Sequence, residues 1–214
     1  MAKTLEKPVT SLGVEIAYCA DASGTRVFLS AQDEELLAAA DRKAHDLMGS
    51  NAMPDGILDP VTRTICLLKE KSLTLCTAES CTGGMIANAI VERSGVSSVF
   101  AGGAVTYSNE LKEKILHVPA EVLETYGAVS EECACAMARG AVENLNADVS
   151  VATTGIAGPD GGTPEKPVGL VYVAACVKGE VMVRKLNLRG GRLMIRQRAA
   201  AQALILLNSM LENR

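Results

Sequence analysis

From residue 59 onward the sequence alternates between segments typical of buried strands and segments typical of helices. Apolar runs predict three strands, at residues 73–78, 98–105 and 149–154. Helical spacing of apolar residues predicts helices at 60–71, 85–91, 131–145 and 192–211. Two more strands, 169–177 and 181–188, are predicted to form a hairpin. Because strands separated by helices pair in parallel, we predict a three-layer α/β/α fold whose largely parallel sheet has an antiparallel hairpin edge.

The start of the chain follows a different pattern and is predicted to form a small β-β-α module. Strands are predicted at 14–19 and 26–30, and Ser30 is expected to cap the helix that follows. A stretch of turn-forming residues comes next and is the predicted linker. The predicted organisation is an accessory module at 1–52, a linker at 53–58 and an α/β domain at 59–214.

The charge and composition of the chain exclude several classes of partner and site. The net charge is −4 and the isoelectric point is near 5.3, whereas sequence-independent nucleic-acid binding needs a dense Lys/Arg face. No apolar stretch is long enough to cross a bilayer, so we expect a cytoplasmic protein. The seven cysteines, an odd number placed mainly in apolar segments, are expected to be reduced core residues. With two histidines and no C-x-x-C motif, we expect no metal site.

Three polar or glycine-rich segments follow directly after predicted strands. They are residues 79–84, 106–112 and 155–162. In an open α/β sheet, ligands bind at the carboxyl ends of the strands, so these segments are expected to converge on one crevice. The convergence predicts a single chemical centre.

The first segment places Ser80 at a strand-to-helix turn. Gly83 and Gly84 would let backbone N–H groups at the helix start approach a phosphate or an oxyanion closely. The alternative is that Ser80 or Thr82 only caps the helix that begins at residue 85.

A nucleophilic serine needs a base, and the sequence offers few. His45 belongs to the accessory module and His117 follows the second segment, whereas Lys112 lies one turn into a helix that Ser108 would cap. Lys112 could serve as the base if burial lowers its pKa, and the alternative is a solvated helix lysine. Tyr107, at the strand end, could position a substrate or simply pack half-buried.

The third segment and the last helix offer candidate nucleotide contacts. Thr154 and the backbone amides that follow it could line a nucleotide site, since so long a glycine-rich loop is more often functional. Arg192 and Arg196 stand at the start of the last helix, where guanidinium groups and helix amides together suit a phosphate. A solvated helix face is the alternative for the arginines.

Four blocks of the sequence closely resemble the CinA C-terminal family. The blocks are residues 77–84 (TAESCTGG), 105–112 (VTYSNELK), 126–131 (YGAVSE), and 154–162 (TGIAGPDGG) followed by 166–169 (KPVG). The resemblance covers residues 59–212. It implies hydrolysis of the carboxamide of nicotinamide mononucleotide to nicotinate mononucleotide and ammonia, in pyridine nucleotide recycling, without metal or redox cofactor. It also implies a homodimer.

Carried over to this chain, the resemblance implies that Ser80 is the nucleophile and Lys112 its base, with Tyr107 close by. Ten residues are implied as substrate contacts: Glu79, Thr82, Gly83, Gly84, Ser108, Thr154, Gly155, Gly158, Arg192 and Arg196. An amide needs a nucleophile, a base and an oxyanion hole, and we expect backbone N–H groups of the 80–84 turn to form that hole.

Two features differ from the family pattern and keep other functions open. Gly191 stands where members often carry an acidic residue, and residues 1–52 resemble the KH-like middle module of full-length members, without the large domain that precedes it there. Pyrophosphatase activity is therefore not expected, and the module lacks the G-x-x-G loop of RNA-binding KH domains. The alternatives are a catalytically silent nucleotide-binding protein of the competence/damage-inducible type, or one half of a two-component system that docks a separate N-terminal domain.

Overall fold

The computed structural model describes residues 1–21, 24–49, 52 and 59–213, so the predicted linker at 53–58 lies outside the described residues. The chain divides into two compact units, Met1–Asp59 and Pro60–Arg214. Within the described residues, no helix is long and apolar enough to cross a membrane.

The first unit is a two-stranded antiparallel hairpin covered by two helices. Its elements are α1 (Ala2–Thr10), β1 (Glu15–Ala20), β2 (Thr25–Ser30) and α2 (Glu34–Met48). Its core is made by Leu5, Val9, Val14, Ala40 and Ala44.

Two details of this unit differ from the prediction. The cap of α2 is Asp33, whose carboxylate accepts from the N–H groups of Glu35 and Leu36, because Ser30 is still extended and paired with Glu15 in the hairpin. Helix α1 was not predicted at all. It buries only Leu5 and Val9 and contains Pro8, so its apolar pattern is too sparse to identify a helix from sequence.

The second unit contains a five-stranded sheet with helices on both faces, as predicted. Its strands are β3 (Leu75–Glu79), β4 (Phe100–Val105), β5 (Val149–Gly155), β6 (Leu170–Val177) and β7 (Glu180–Asn187). The spatial order is β4-β3-β5-β6-β7. Strands β4, β3 and β5 are parallel, and the β6–β7 hairpin extends the sheet in antiparallel fashion. The predicted three-layer α/β/α architecture with an antiparallel hairpin edge is confirmed.

The helices of this unit form the two outer layers. They are α3 (Pro60–Lys71), α4 (Met85–Val91), α5 (Asn109–Leu116), α6 (Ala120–Thr125), α7 (Glu131–Leu145) and α8 (Arg192–Glu212). Alternate residues of the central strands enter two separate cores: Leu75 packs in the core that includes residues of α3, α4 and α8, and Cys76 in the core that includes residues of α5, α6 and α7. The short helix α6 was not predicted, because six residues are too few to show a periodic pattern.

The order of the strands brings the three polar segments together. β3 lies between β4 and β5 with all three parallel, so the segments that follow them leave from one edge of the sheet. Helix α5, which follows β4, packs closely on α7 at Gly140, where a Cβ atom would overlap the carbonyl oxygen of Leu116. The C-terminal end of α5 therefore lies directly against the backbone of α7.

Candidate active site

Ser80 and Lys112 meet at the sheet edge. Ser80 directly follows β3 and is 8% exposed, and Lys112 lies in α5 with only 1% of its surface exposed. Lys112 Nζ lies 3.2 Å from Ser80 Oγ. Ser108 caps α5 as predicted, its hydroxyl accepting from the Leu111 N–H, and this cap starts the helix one turn before the lysine.

Burial shifts Lys112 toward the neutral amine. Its Nζ donates to the carbonyl oxygens of Thr106, at 2.9 Å, and Tyr107, at 3.3 Å. A neutral amine has two N–H groups for these two carbonyls, which leaves its lone pair for the Ser80 hydroxyl proton. No carboxylate forms an ion pair with Lys112 in the part of the chain that the structure describes, and burial lowers the pKa of Lys112.

The side chain of Glu79, the last residue of β3, caps the N-terminus of helix α4. Its carboxylate oxygens accept from the N–H groups of Ile86, at 3.1 Å, and Ala87, at 2.9 Å, and its side chain is buried. The N-cap residue itself is Gly84, which has no capping side chain. The alternative in which Ser80 or Thr82 caps this helix is therefore wrong. Because Glu79 takes two of the first helical amides, the anion site expected at the helix start is already filled from within the protein.

In the nucleophile turn, residues 80–84, some backbone amides have a hydrogen-bond acceptor within the protein and others have none. The Ser80 N–H donates to the Thr153 carbonyl at 3.0 Å, and the Gly83 N–H donates to the Ser80 carbonyl at 3.1 Å. The amides of Cys81, Thr82 and Gly84 donate to no oxygen of any residue between 59 and 213. The Thr82 side chain points inward, with its hydroxyl 2.7 Å from that of Thr153. Three amides of this turn thus have no hydrogen-bond acceptor among the described residues.

A cavity of about 200 Å³ opens at this turn. Its lining residues are Ser80, Cys81, Tyr107, Lys112, Ala128, Val129, Thr154, Gly155, Ala157 and Arg192. Tyr107 is 62% exposed, so the half-buried packing considered for it is wrong. The remaining implied contacts, Glu79, Thr82, Gly83, Gly84, Ser108, Gly158 and Arg196, do not line the cavity.

One wall of the cavity is held in place by side chains from two other segments. The Thr154 hydroxyl donates to the Ala128 carbonyl at 2.6 Å, and Lys166 Nζ donates to the carbonyls of Tyr126 and Val129 at 2.8 Å each. Sequence reasoning missed this wall and the role of Lys166. A lysine followed by proline in a glycine-rich loop was the available signal, but its partners lie about 40 positions away.

The two arginines of α8 occupy different places. Arg192 lines the cavity and donates one N–H to the Gly158 carbonyl at 2.7 Å. Arg196 instead contacts the nucleophile turn from outside the cavity: its Nε lies 3.1 Å from the Cys81 carbonyl and its Nη2 lies 2.7 Å from the Thr82 carbonyl. Only Arg192 is therefore placed to meet a ligand in the cavity.

No group of three or more His, Cys, Asp or Glu side chains suited to a metal ion occurs among residues 1–21, 24–49, 52 and 59–213. The cysteines near the site have raised pKa values: burial raises the pKa of Cys81 to about 11 and that of Cys133 to about 11. Their thiols are therefore poor nucleophiles near neutral pH, which leaves the Ser80 hydroxyl as the candidate nucleophile next to a base.

Comparison with known proteins places the second unit in a family. Residues 59–211 match the CinA C-terminal domain model. A putative competence-damage inducible protein from Clostridium perfringens strain 13 is 45% identical over 179 residues, which are 84% of this chain and 43% of that protein. A CinA-like protein from Dictyoglomus thermophilum is 49% identical over 147 residues, which are 69% of this chain and 36% of that protein. This chain thus spans less than half the length of these relatives.

Solved structures agree with this match. The competence/damage inducible protein CihA from Agrobacterium tumefaciens is 43% identical, with a TM-score of 0.69, and the match covers 72% of this chain and 93% of that one. A CinA superfamily protein from Klebsiella pneumoniae is 33% identical, with a TM-score of 0.70, covering 72% of this chain and 97% of that one. The chain belongs to the CinA C-terminal domain family.

Proposed function

We propose that this protein hydrolyses the carboxamide of a pyridine nucleotide, with nicotinamide mononucleotide as substrate, through Ser80 as nucleophile and Lys112 as general base. The observation that carries the proposal is the environment of Lys112 Nζ: two carbonyl acceptors, no carboxylate partner among the described residues, and the Ser80 hydroxyl at 3.2 Å. A buried neutral amine beside a serine hydroxyl is the pairing that activates a serine without histidine.

The reaction follows from this geometry in two stages. Lys112 accepts the Ser80 proton as Oγ attacks the carboxamide carbon, and we expect the tetrahedral oxyanion to accept hydrogen bonds from the backbone N–H groups of Cys81 and Thr82, which have no other acceptor among the described residues. The Lys112 ammonium then gives its proton to the leaving nitrogen, which departs as ammonia, and an ester to Ser80 remains. In the second stage Lys112 deprotonates a water molecule, which attacks the ester, and the proton returns to Ser80 Oγ as nicotinate mononucleotide is released.

Two cavity residues suit this substrate class. Tyr107 offers an exposed aromatic face to a cationic pyridinium ring. Arg192 lines the same cavity and offers N–H groups beyond the one given to Gly158, which suits a phosphate. Gly191, the N-cap of α8, leaves Arg192 at the cavity although no acidic side chain precedes it.

Ammonia release from nicotinamide mononucleotide tests the proposal. We expect ammonia release by the parent protein and loss of it in Ser80→Ala. Ser97→Ala makes the same substitution at an exposed serine and should keep the parental rate. A parent that binds the nucleotide but releases no ammonia would overturn the proposal in favour of a nucleotide-binding protein. Full activity in a folded Ser80→Ala variant would overturn the assigned nucleophile.

A further inference from the structure

We propose that Arg196 is a positioning residue for the oxyanion-binding amides of the nucleophile turn, and not a phosphate ligand. This inference rests on the proposed function, because it assigns the guanidinium a part in the same amide hydrolysis. The argument starts from the turn itself, which is closed by the hydrogen bond from the Gly83 N–H to the Ser80 carbonyl.

The peptide between the two central residues is the least constrained part of such a turn. Residues 80–83 form a four-residue turn whose end peptides are tied by the Gly83–Ser80 hydrogen bond. The common turn types differ mainly in the orientation of the peptide between the two central residues, which here joins Cys81 to Thr82. A rotation of this one peptide would swap the direction of the Cys81 carbonyl with that of the Thr82 N–H.

Arg196 holds this peptide from outside. Its Nε donates to the Cys81 carbonyl at 3.1 Å and its Nη2 donates to the Thr82 carbonyl at 2.7 Å. Because C=O and N–H of one planar trans peptide point in opposite directions, fixing the Cys81 carbonyl toward Arg196 turns the Thr82 N–H away from it. Thr82 also keeps a negative φ and a buried hydroxyl contact with Thr153. The guanidinium thus fixes the direction of an amide that has no acceptor among the described residues.

The fit of the guanidinium against the turn is close. A Cβ atom on Gly83 would lie 3.3 Å from Arg196 Nη2, and Gly83 has a φ of +60°. A glycine at this position therefore lets the guanidinium approach the turn. Two donors of Arg196 are committed to backbone carbonyls, and the side chain does not line the cavity, whereas Arg192 does. The two arginines therefore have separate tasks.

Kinetics with two substrates separates these tasks. In Arg196→Met we expect kcat to fall by about 100-fold on both nicotinamide mononucleotide and nicotinamide riboside, with KM changed by less than about 3-fold, since an oriented oxyanion amide acts in the transition state. In Arg196→Lys the ammonium cannot donate to both carbonyls with the guanidinium's planar geometry, so this variant should recover only part of kcat. Arg192→Met should raise KM for the mononucleotide alone. Arg198→Met, on the same helix, should match the parent.

A serine-directed fluorophosphonate provides a second measurement that needs no pyridine nucleotide, since its phosphoryl oxygen occupies the oxyanion position when Ser80 reacts. We expect the rate of Ser80 modification to fall by about 100-fold in Arg196→Met. If the parent releases no ammonia but this reduction is seen, the proposed function fails and the role of Arg196 stands. The role is overturned if folded Arg196→Met or Arg196→Lys keeps parental kcat, or if the loss is confined to the phosphorylated substrate as a rise in KM.

Discussion

Lys112 Nζ and Ser80 Oγ lie 3.2 Å apart although their residues are 32 positions apart and belong to different segments of the sheet edge. Their meeting depends on α5, which packs on α7 and carries Lys112 on its buried side. The geometry of this pair, its electrostatics and its supporting residues lead to five predictions.

The first prediction concerns the need for a neutral base. In Lys112→Arg the positive charge stays but the guanidinium does not deprotonate, so ammonia release should fall by about 1,000-fold. Lys114→Arg, an exposed residue on the same helix, should keep parental activity. The test is to compare kcat for ammonia release between the two folded variants and the parent. An active Lys112→Arg protein would mean that another group accepts the proton.

The second prediction is a pH dependence. Burial lowers the pKa of Lys112 from its ordinary 10.5, and only the neutral form accepts a proton, so kcat/KM should rise with pH through that lowered pKa and then level off. Between the lowered pKa and 10.5 the unfolded chain binds more protons than the folded one, so the free energy of unfolding should also rise with pH there. A rate that still climbs steeply at the ordinary lysine pKa would contradict the neutral-amine assignment.

The third prediction concerns the cysteines. Burial raises the pKa of Cys81 to about 11 and that of Cys133 to about 11, whereas Cys19 and Cys66 are exposed. Iodoacetamide near neutral pH should therefore label Cys19 and Cys66 in the folded protein and reach the buried thiols only after unfolding, as mass spectrometry would show.

Cys81→Ala completes this test, because Cys81 adjoins Ser80 and lines the cavity. The variant should keep activity within about threefold of the parent and lose about 1 kcal/mol of stability through the small void it leaves. Loss of turnover in a folded Cys81→Ala protein would instead point to the thiol as a participant.

The fourth prediction concerns Lys166, whose Nζ holds the carbonyls of Tyr126 and Val129. Lys166→Met leaves these carbonyls without their donor, so we expect KM to rise about tenfold and the free energy of unfolding to fall by about 1–3 kcal/mol. Lys69→Met changes an exposed lysine of α3 in the same way and serves as the control. Unchanged KM and unchanged thermal unfolding in Lys166→Met would show that this wall of the cavity keeps its position without the Lys166 hydrogen bonds.

The fifth prediction concerns Gly140 in α7. Replacing a helical glycine by alanine ordinarily stabilises a helix by about 0.5–1 kcal/mol. Here the added Cβ would overlap the carbonyl oxygen of Leu116, so Gly140→Ala should instead destabilise the protein by about 1–3 kcal/mol. Because α5 must shift, ammonia release should fall as well.

Arg139→Ala, an exposed change at the neighbouring position of the same helix, should alter stability by less than about 0.5 kcal/mol. Denaturant unfolding of both variants gives the comparison. A stabilised Gly140→Ala protein would show that the contact between α5 and α7 is looser than the structure indicates.

Local sequence signals were sufficient for the elements that carry the site. Helix α7 spans Glu131–Leu145 as predicted, and Ser108 caps α5 as predicted, because capping and apolar spacing act between neighbours in the chain. The expectation that three polar segments share one edge also followed from the sequence, since parallel strands present their carboxyl ends together.

The tertiary structure decided which backbone groups remain available and what holds them. Glu79, and not Ser80 or Thr82, satisfies the first amides of α4, and Arg196 reaches the Cys81 carbonyl across 115 positions of sequence. Lys166 holds a wall about 40 positions away. Such contacts depend on how strands and helices pack, so no local pattern indicates them. The sequence by itself determined the strands and most helices, the α/β architecture and the candidate serine and lysine. Packing decided that the lysine is buried without a carboxylate partner among the described residues, and which amides of the 80–84 turn are left without an acceptor.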